Sequence, residues 1–530
     1  MKSIRPIVFF PPAVLILICL VYGLVDNAGF SVMATTANAW LLGKFGWLFS
    51  FGSLMFLIAV AAVFFSPLAK VKIGGQDAVP IMSDYNFFAI TLCTTIAIGI
   101  LFWGTAEPLY HYLYPPAGVG IDPASPQAVR FAMSTMFMHW TFTPYAIYTL
   151  PAVVFAFAFY NMGKPFSLGS TLTPLIGDRA AGAFGQVVDV LCLSALILGM
   201  AASLGTGILS LAGGLSYQYG LPNNTLMYWI LGAAIVGTFI FSASSGLMKG
   251  IRVFSDINTK ALFFVTIFVF LFGPTVYILQ LGTEGFGEYL STFFHRSLLT
   301  GAATFTPEKG IDGWAQGWTN FYFANWLAWS PITALFLGRL GYGHTVRKFL
   351  TFNFVLPAMF SGIWMAIFSG ASLKFELDGK GISEQLARGP EYTGFAVLGN
   401  LPISVIIIPV FLFCCFICFV TAADSNTNAM AGISTTGVSP EASEPKLPMK
   451  IIWGSIVGMV SVVMISTSGI DGIKTLSNLG GLPALFIELA LLVVLVMIMR
   501  NPSKYDMHKK DYDKEGRVIS KITRFKKTQG

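Results

Sequence analysis

The chain has 530 residues, of which 55% are hydrophobic and 11% are charged, and its formal net charge is +7. This composition excludes an ordinary soluble protein and predicts a polytopic membrane protein. The segment 500–530 has ten basic and four acidic residues, so it carries 10 − 4 = 6 of the net charges, and no nucleic-acid-binding face is indicated.

Twelve stretches are long and apolar enough to be membrane spans, because a helix needs about 20 apolar residues to cross the hydrocarbon core. Numbered 1 to 12 along the chain, they lie near 6–26, 46–66, 86–106, 130–160, 182–214, 225–245, 258–282, 316–338, 350–373, 393–420, 449–468 and 480–499. Basic residues favour the even-numbered connections, starting with Lys70 and Lys72, which predicts that both termini are cytoplasmic. The longest outer connection, about 283–315, is predicted to hold a short amphipathic helix.

Two of the spans contain residues that disturb helices. Span 3 carries Gly99, Gly104 and Pro108. Span 8 carries Pro331, whose missing N–H leaves the carbonyl of Leu327 without its helical partner. Because these spans are five apart, the pattern predicts an inverted repeat with a binding site near the middle of the membrane.

The predicted domain organisation follows from this repeat. It comprises two additional N-terminal spans in 1–85, a first repeat in 86–282, an outer connection with the second repeat in 283–499, and a basic cytoplasmic tail in 500–530. The tail is interpreted either as a segment attracted to anionic lipid headgroups or as a topology signal alone.

Span 8 contains an aromatic run between Gly317 and Pro331. Its aromatic members are Trp318, Phe321, Tyr322, Phe323, Trp326 and Trp329. Aromatic faces attract cations that lack hydrogen-bond donors, so the run suggests a cage for a quaternary ammonium group; packing or interfacial anchoring is the alternative.

In span 4, Pro144 predicts a bend in the helix. Tyr145 and Tyr148 share a face of the helix just beyond this bend. They are predicted either to meet the aromatic residues of span 8 or to pack as ordinary aromatic residues of the bundle.

Several short motifs follow one another along nearly the whole chain. They are Gly99–Pro108, His139-Trp140, Pro144 with Tyr148, Lys249–Arg252, Phe321-Tyr322 with Trp326, Trp329–Pro331 and Thr421–Ser425. Together they resemble the betaine/carnitine/choline transporter family. The resemblance implies an all-α polytopic membrane protein with twelve transmembrane helices, a sodium-symporter-like five-plus-five inverted repeat (LeuT-like fold), a trimeric assembly and alternating access.

Carried over by position, the resemblance implies an aromatic box around the substrate headgroup, made by Trp140, Tyr145, Tyr148 and Trp326. Trp329 would lie on the path toward the cytoplasm. Tyr145 stands where the family usually has a tryptophan, which keeps a π face and adds a hydroxyl. The family's tryptophan-rich run is thinned here to Phe323 and Asn325, both candidate substrate contacts, and Asn325 alternatively forms an interhelical hydrogen bond.

The positions that would coordinate sodium depart from the family pattern. Leu196 and Met200 stand where span 5 would offer two threonines, and Ala422 replaces a serine in span 10, where Thr421 remains. Leucine and methionine have no oxygen ligands for a hard cation. The pattern therefore resembles that of the sodium-independent exchangers in the family.

Other residues are candidates for coupling. Lys260, near the start of span 7, would provide a fixed positive charge in place of an ion, or would extend its ammonium group to the cytoplasmic interface. His139 titrates near neutrality when exposed and would serve proton coupling. The membrane-embedded acids Asp189, Glu107 and Glu488 are functional candidates by default, with a structural role favoured for the first two.

These observations predict a secondary transporter of a quaternary-ammonium compound of the betaine, carnitine, γ-butyrobetaine or choline type. Transport is expected to be sodium-independent, by exchange or with proton linkage. The alternative is a sodium-coupled symporter of a related osmolyte or of an amine or sulfonium zwitterion. A non-transporting membrane ligand sensor is a hypothesis of a different class.

The remaining expectations concern chemistry, partners and location. No nucleophile triad, metal-ligand cluster or phosphate loop occurs in the sequence, so no enzymatic activity, cofactor or metal is predicted. The expected partners are the small-molecule substrate, the lipid bilayer and two further copies in a homotrimer. The expected location is the inner (plasma) membrane of a prokaryote.

Overall fold

The computed structural model describes residues 4–96, 99–244, 247–308, 310–437 and 445–519. The longer helices of these ranges are α1 (Pro6–Val25), α2 (Asn27–Val63), α3 (Asp84–Ile96), α4 (Gly99–Leu113), α5 (Pro126–Trp140), α6 (Phe142–Tyr160), α7 (Ala183–Tyr219), α8 (Thr225–Ser244), α9 (Leu247–Phe272), α10 (Thr275–Ser297), α11 (Phe321–Leu340), α12 (Leu356–Leu377), α13 (Ser404–Ile433) and α14 (Leu447–Arg500).

Shorter helical segments connect them. The α-helical ones are Leu168–Thr171, Thr173–Ile176, Val346–Leu350, Ile382–Arg388, Thr393–Gly399 and Pro502–Tyr505, and the 3₁₀ turns are Pro67–Lys70, Ala117–Val119, Gly177–Ala181, Ala302–Thr304, Pro390–Tyr392 and Lys509–Asp511. Backbone pairing of the β type is limited, in the described ranges, to isolated bridges such as Lys72 with Thr345. The predicted all-α class is confirmed.

Nine helices of the described residues are long and apolar enough to cross a membrane, or ten when the bent pair α3 and α4 counts as one span. The predicted twelve spans are therefore not confirmed as a number. Two differences explain why ten spans are found where twelve were predicted. Helix α11 is not among the nine, and α14 is counted once although it contains both of the last predicted spans. At about 1.5 Å per residue, its 54 residues far exceed the thickness of the hydrocarbon core.

The predicted break of span 3 is present, whereas that of span 8 is not. Helices α3 and α4 are bent by 53° next to residues 97–98, which lie outside the described ranges. Helix α11 continues through Pro331, and the backbone irregularity lies before it, in the π-helical turn Gln316–Asn320. The lost hydrogen bond at Pro331 is tolerated because α11 is buried on all sides from Trp326 onward, so tertiary packing maintains the helix.

Three predicted boundaries are also wrong. Span 7 was expected to extend to residue 282, but α9 ends at Phe272, because Gly273 and Pro274 interrupt the helix. The amphipathic helix predicted in 283–315 exists as α10 and therefore begins earlier, at Thr275. Span 10 is displaced toward the C-terminus, since α13 begins only at Ser404.

Helix α11 lies at the centre of the bundle and packs against α6, α7, α13 and α14. Side-chain hydrogen bonds connect it to all four of these neighbours. They are Ser330 Oγ to the Ile147 carbonyl (2.8 Å), Trp329 Nε1 to Ser203 Oγ (3.1 Å), Thr333 Oγ1 to Asn426 Oδ1 (2.6 Å) and Ser477 Oγ to Asn325 Oδ1 (3.0 Å). The aromatic run of span 8 is thus held in the interior rather than at a membrane interface.

The described part of the basic tail folds back onto the body of the protein. Asp506 accepts hydrogen bonds from Asn161 Nδ2 (2.9 Å) and from the Tyr512 hydroxyl (2.7 Å), and Asp511 accepts one from the backbone N–H of Gln76 (2.8 Å). Burial and the neighbouring Asp506 carboxylate raise the pKa of the Tyr512 phenol. Attraction of the tail to lipid headgroups stays a prediction, and residues 520–530 lie outside the described ranges.

Asp189 holds the N-terminal segment against the bundle. Its carboxylate lies 2.8 Å from Arg5 Nη2 and also accepts hydrogen bonds from Ser167 Oγ and the N–H of Gly169. Arg5 in turn donates from Nη1 to the carbonyl of Ile433, at the end of α13. This geometry favours the structural role expected for Asp189.

We expect Arg5→Ala to lower the thermal stability of the purified protein, because it leaves the buried Asp189 carboxylate without its positive partner. Breaking a buried pair costs about 3–5 kcal/mol, and the 20% exposure of the Arg5 side chain indicates the lower end of that range. The control is Arg179→Ala, which changes an exposed arginine. Equal melting temperatures for both variants would show that the pair contributes nothing.

Candidate substrate site

Four buried aromatic side chains from three helices meet near the middle of α11. Trp140 ends α5, Tyr145 and Tyr148 lie near the start of α6, and Trp326 lies on α11. The ring centroid of Trp326 lies 6.0 Å from that of Trp140, 5.2 Å from that of Tyr145 and 4.8 Å from that of Tyr148. Each of the four is at most 4% exposed. We call this group the aromatic box.

A backbone break directs the residues of α5 and α6 toward Trp326. Thr141 has φ −112° and ψ −122°, so the helix is interrupted directly after Trp140. Pro144 is the third residue of α6, where its missing N–H removes no obligatory hydrogen bond of the helix. The predicted bend in span 4 therefore lies at Thr141, and Pro144 is compatible with the new start that follows it.

The rings of the aromatic box are in direct contact with one another. A cation bound by several aromatic faces lies within about 6 Å of each ring centroid. Rings whose centroids are 4.8 Å apart, as for Tyr148 and Trp326, leave no room between them for a trimethylammonium group. Binding of such a headgroup would require α6 and α11 to move apart.

Glu107 of α4 supports the box from one side. Its Oε2 accepts a hydrogen bond from Trp140 Nε1 (2.7 Å), and its Oε1 lies 2.6 Å from His139 Nδ1 and 3.0 Å from His111 Nε2. All four side chains are at most 2% exposed. The carboxylate thus fixes the orientation of the Trp140 indole.

The contacts of His139 indicate which ring nitrogen carries the proton when the imidazole is neutral. Since Nδ1 donates to Glu107, the other ring nitrogen, Nε2, is the acceptor for the Thr319 hydroxyl at 3.0 Å. Thr319 belongs to the π-helical turn before α11, so this irregular turn positions one partner of the cluster. Sequence reasoning missed Thr319 and His111; the spacing of His111 four residues after Glu107 was the available signal for the latter.

Glu107, His111 and His139 are also residue types that bind metals, and their ligand atoms lie within 4.8 Å of one another. The 2.6 Å between His139 Nδ1 and Glu107 Oε1 is, however, a hydrogen-bond length. An ion bound at about 2 Å from each atom would hold the two ligand atoms about 3 Å or more apart. The geometry fits a hydrogen-bonded support for Trp140 better than a metal site.

Three predicted substrate contacts lie beside the aromatic box rather than in it. Trp329 donates its indole N–H to Ser203 of α7. The Phe323 ring contacts His139 at a centroid distance of 6.4 Å. Asn325 accepts a hydrogen bond from Ser477 Oγ of α14 at 3.0 Å, which favours its interhelical alternative.

Of the candidate residues of the ion sites, only Thr421 carries a side-chain oxygen. Leu196 and Met200 of α7 are fully buried. The Thr421 hydroxyl donates to two carbonyls of its own helix, those of Ile417 and Cys418, at 3.0 Å each. Leu196 and Met200 therefore act as packing groups, whereas the Thr421 hydroxyl, which donates its proton, keeps its oxygen lone pairs.

The two remaining charged candidates differ sharply in environment. Lys260 pairs with Asp256 at 2.7 Å and its side chain is 69% exposed, so it lies away from the aromatic box. Glu488 of α14 is fully buried beside the Ser330 side chain, and neither of its carboxyl oxygens makes a hydrogen bond of normal geometry among the described residues. A carboxyl group in such a place is costly, which makes Glu488 the stronger functional candidate of the two.

Comparisons with known proteins identify the family of the chain. The profile of BCCT, the betaine/carnitine/choline family transporters, matches residues 7–504. The chain belongs to the betaine/carnitine/choline transporter family. Members of this family are membrane transporters, not enzymes, and membership confirms the fold class that the motifs implied.

Two relatives of this transporter match it over nearly their whole length. The chain is 29% identical to the glycine betaine transporter OpuD of Bacillus subtilis, covering 91% of each protein. It is 29% identical to the ectoine/hydroxyectoine transporter of Virgibacillus pantothenticus, covering 96% of this chain and 98% of that protein. A solved sodium-coupled sialic acid symporter is 13% identical, with a TM-score of 0.44 over 84% of this chain and 85% of the other.

Proposed function

We propose that this transporter carries a quaternary-ammonium compound of the betaine, carnitine, γ-butyrobetaine or choline type by alternating access. The observation that supports it is the aromatic box, in which three rings surround Trp326 without an ion pair. A trimethylammonium group has no N–H to donate, so ring faces are its natural partners. The names of the relatives, which include transporters of glycine betaine and ectoine, agree with a compact osmolyte.

Alternating access is supported by the closed state of the aromatic box. The rings must separate before a headgroup enters, and the break at Thr141 leaves α5 and α6 able to move independently. Such a movement would stretch or break the hydrogen bond that the Ser330 hydroxyl of α11 donates to the Ile147 carbonyl of α6. Binding and movement of the two helices are thereby coupled.

We further propose that transport is independent of sodium. The support is chemical: Leu196 and Met200 provide no oxygen, and the Thr421 hydroxyl by itself is too small a ligand set for a hard cation. Exchange of one substrate for another needs no ion at all. Proton linkage would need a group such as the Glu488 carboxyl, which is fully buried and has no charged partner among the described residues.

The test is uptake of labelled glycine betaine into proteoliposomes. We expect the initial rates with external sodium and external potassium to differ by less than about twofold, because an ion drives transport only when its binding is coupled to that of the substrate. Preloading with unlabelled glycine betaine should accelerate uptake under exchange. An inward proton gradient should do so under proton linkage, and that effect should then be lost in Glu488→Gln. Strong accumulation driven by sodium would instead favour the alternative, a sodium-coupled symporter.

The other hypothesis, a non-transporting ligand sensor, is tested by the same vesicles. Binding of glycine betaine without uptake or exchange would favour it. The location in a prokaryotic inner membrane, the cytoplasmic termini and the homotrimer stay predictions. Accessibility labelling of the two ends of the chain would test the orientation of the termini. The mass of the detergent-solubilised particle would test the homotrimer.

A further inference from the structure

The carboxyl group of Glu488 is buried in the bundle without a charged partner among the described residues. It lies on α14 and is fully buried. The ion pairs of the described ranges involve other side chains, such as Arg5 with Asp189. An ionised carboxylate is very costly in such a place, because the interior does not replace its hydration. A cationic ligand would provide the opposite charge that the carboxylate requires.

Glu488 lies next to the aromatic box. It is beside the side chain of Ser330, which follows Trp326 by four residues and therefore lies one turn further along the same face of α11. The charge of Glu488 also acts on the phenol of Tyr148, a member of the aromatic box. Ser330 and Tyr148 are at most 4% exposed. The carboxyl group is thus shielded from water and within electrostatic range of the box.

The contacts that close the aromatic box lie on the same two helices as the neighbours of Glu488. Ser330 Oγ donates to the Ile147 carbonyl at 2.8 Å, and Ile147 directly precedes Tyr148 on α6. The Tyr148 and Trp326 rings meet at 4.8 Å. Separation of α6 from α11 would break both contacts. The space opened for the headgroup would then include Ser330 and the carboxyl group beside it.

The aromatic box has no basic side chain over its rings in the described part of the chain. The cation–π contacts found there involve rings outside the box, such as Phe131 with Arg296 and Trp318 with Lys474. A carboxylate on the substrate would therefore meet the like charge of Glu488 without a lysine or arginine over the rings to offset it. Like charges brought together in an enclosed site disfavour binding.

We propose that Glu488 is the counter-charge of the substrate headgroup, and that it selects quaternary-ammonium compounds with a net positive charge, of the choline type, over zwitterions such as glycine betaine. The inference rests on the proposed function, since it takes the aromatic box as the headgroup site. A net cation neutralises the carboxylate, whereas a zwitterion brings a second carboxylate into the same enclosed space. Selectivity is the difference between these two free energies of binding.

The test compares choline with glycine betaine, which share the trimethylammonium headgroup, by calorimetric titration of the purified full-length protein. The measured quantity is the dissociation constant of glycine betaine divided by that of choline. We expect this ratio to be about ten or more in the wild type and to fall by about tenfold in Glu488→Gln, which keeps the size of the side chain and removes its charge. Glu488→Asp, which keeps the charge, should retain the preference for choline.

Glu284→Gln is the matched control. It removes the charge of an exposed glutamate on α10, so the ratio should keep its wild-type value. Because the ratio compares two ligands on one protein, a general loss of folded protein affects both titrations equally and leaves the ratio unchanged. Melting temperatures of all variants measure that loss separately.

Three results would overturn the inference. They are a wild-type ratio of one or less, the same ratio in the wild type and in Glu488→Gln, and an equal fall of the ratio in Glu284→Gln. A wild type that binds neither ligand contradicts the proposed function itself. A wild type that binds both ligands equally well leaves the proposed function intact and contradicts only the role of Glu488.

Discussion

Trp326→Ala is expected to weaken glycine betaine binding by about 30-fold or more. A desolvated cation–π contact is worth about 2 kcal/mol, and each 1.4 kcal/mol is a factor of ten in affinity. Trp326 is the ring that contacts all three other members of the aromatic box, so its loss also removes their common packing partner. Binding is measured by calorimetry on protein whose melting temperature is determined in parallel.

Two further variants separate the role of the ring from that of packing. Trp326→Phe keeps a π face and should retain most of the binding. Trp453→Phe changes another fully buried tryptophan, which packs against Phe9 far along the chain from the aromatic box, and should leave binding unchanged. Unaltered affinity in Trp326→Ala would show that the aromatic box is not the substrate site.

Glu107→Ala is expected to reduce glycine betaine binding by about tenfold or more and to lower the melting temperature. The variant leaves the donors of Trp140, His139 and His111 without their shared acceptor, and each buried unsatisfied group costs about 1–3 kcal/mol. Glu107→Gln keeps the size of the side chain, but its amide has one accepting oxygen where the carboxylate offers two to the three donors, so it weakens the hold on the Trp140 indole.

A double-mutant cycle distinguishes a positioning role for Glu107 from general stabilisation. If Glu107 acts by orienting the Trp140 indole, the effect of Glu107→Gln on affinity should largely disappear in a Trp140→Phe background. Additive effects would mean that the carboxylate stabilises the bundle without positioning the ring. Glu284→Gln, which changes an exposed glutamate on α10, is the matched control and should leave affinity unchanged.

The aromatic box shows which parts of the candidate site sequence patterns can predict. The resemblance named its four members by number, and the structure brings all four together. The neighbouring candidates show the limit, because Asn325 is one residue from Trp326 and yet bonds to Ser477 of α14. Adjacent residues of a helix point in directions about 100° apart, so proximity along the chain does not place two side chains in one site.

The amino-acid sequence alone determined the family, the all-α membrane class and the residues of the aromatic box. Hydropathy and short motifs are properties of neighbouring residues, so they can be recognised before the packing of the helices is known. Only the tertiary structure decided that α11 runs unbroken through Pro331, that Glu107 joins Trp140 to two histidines, and that Lys474 lies among Trp103, Trp318 and Phe321. Each of these depends on contacts between residues far apart in the chain. Lys474 and Trp318, 156 positions apart, share no local pattern that could have predicted their meeting.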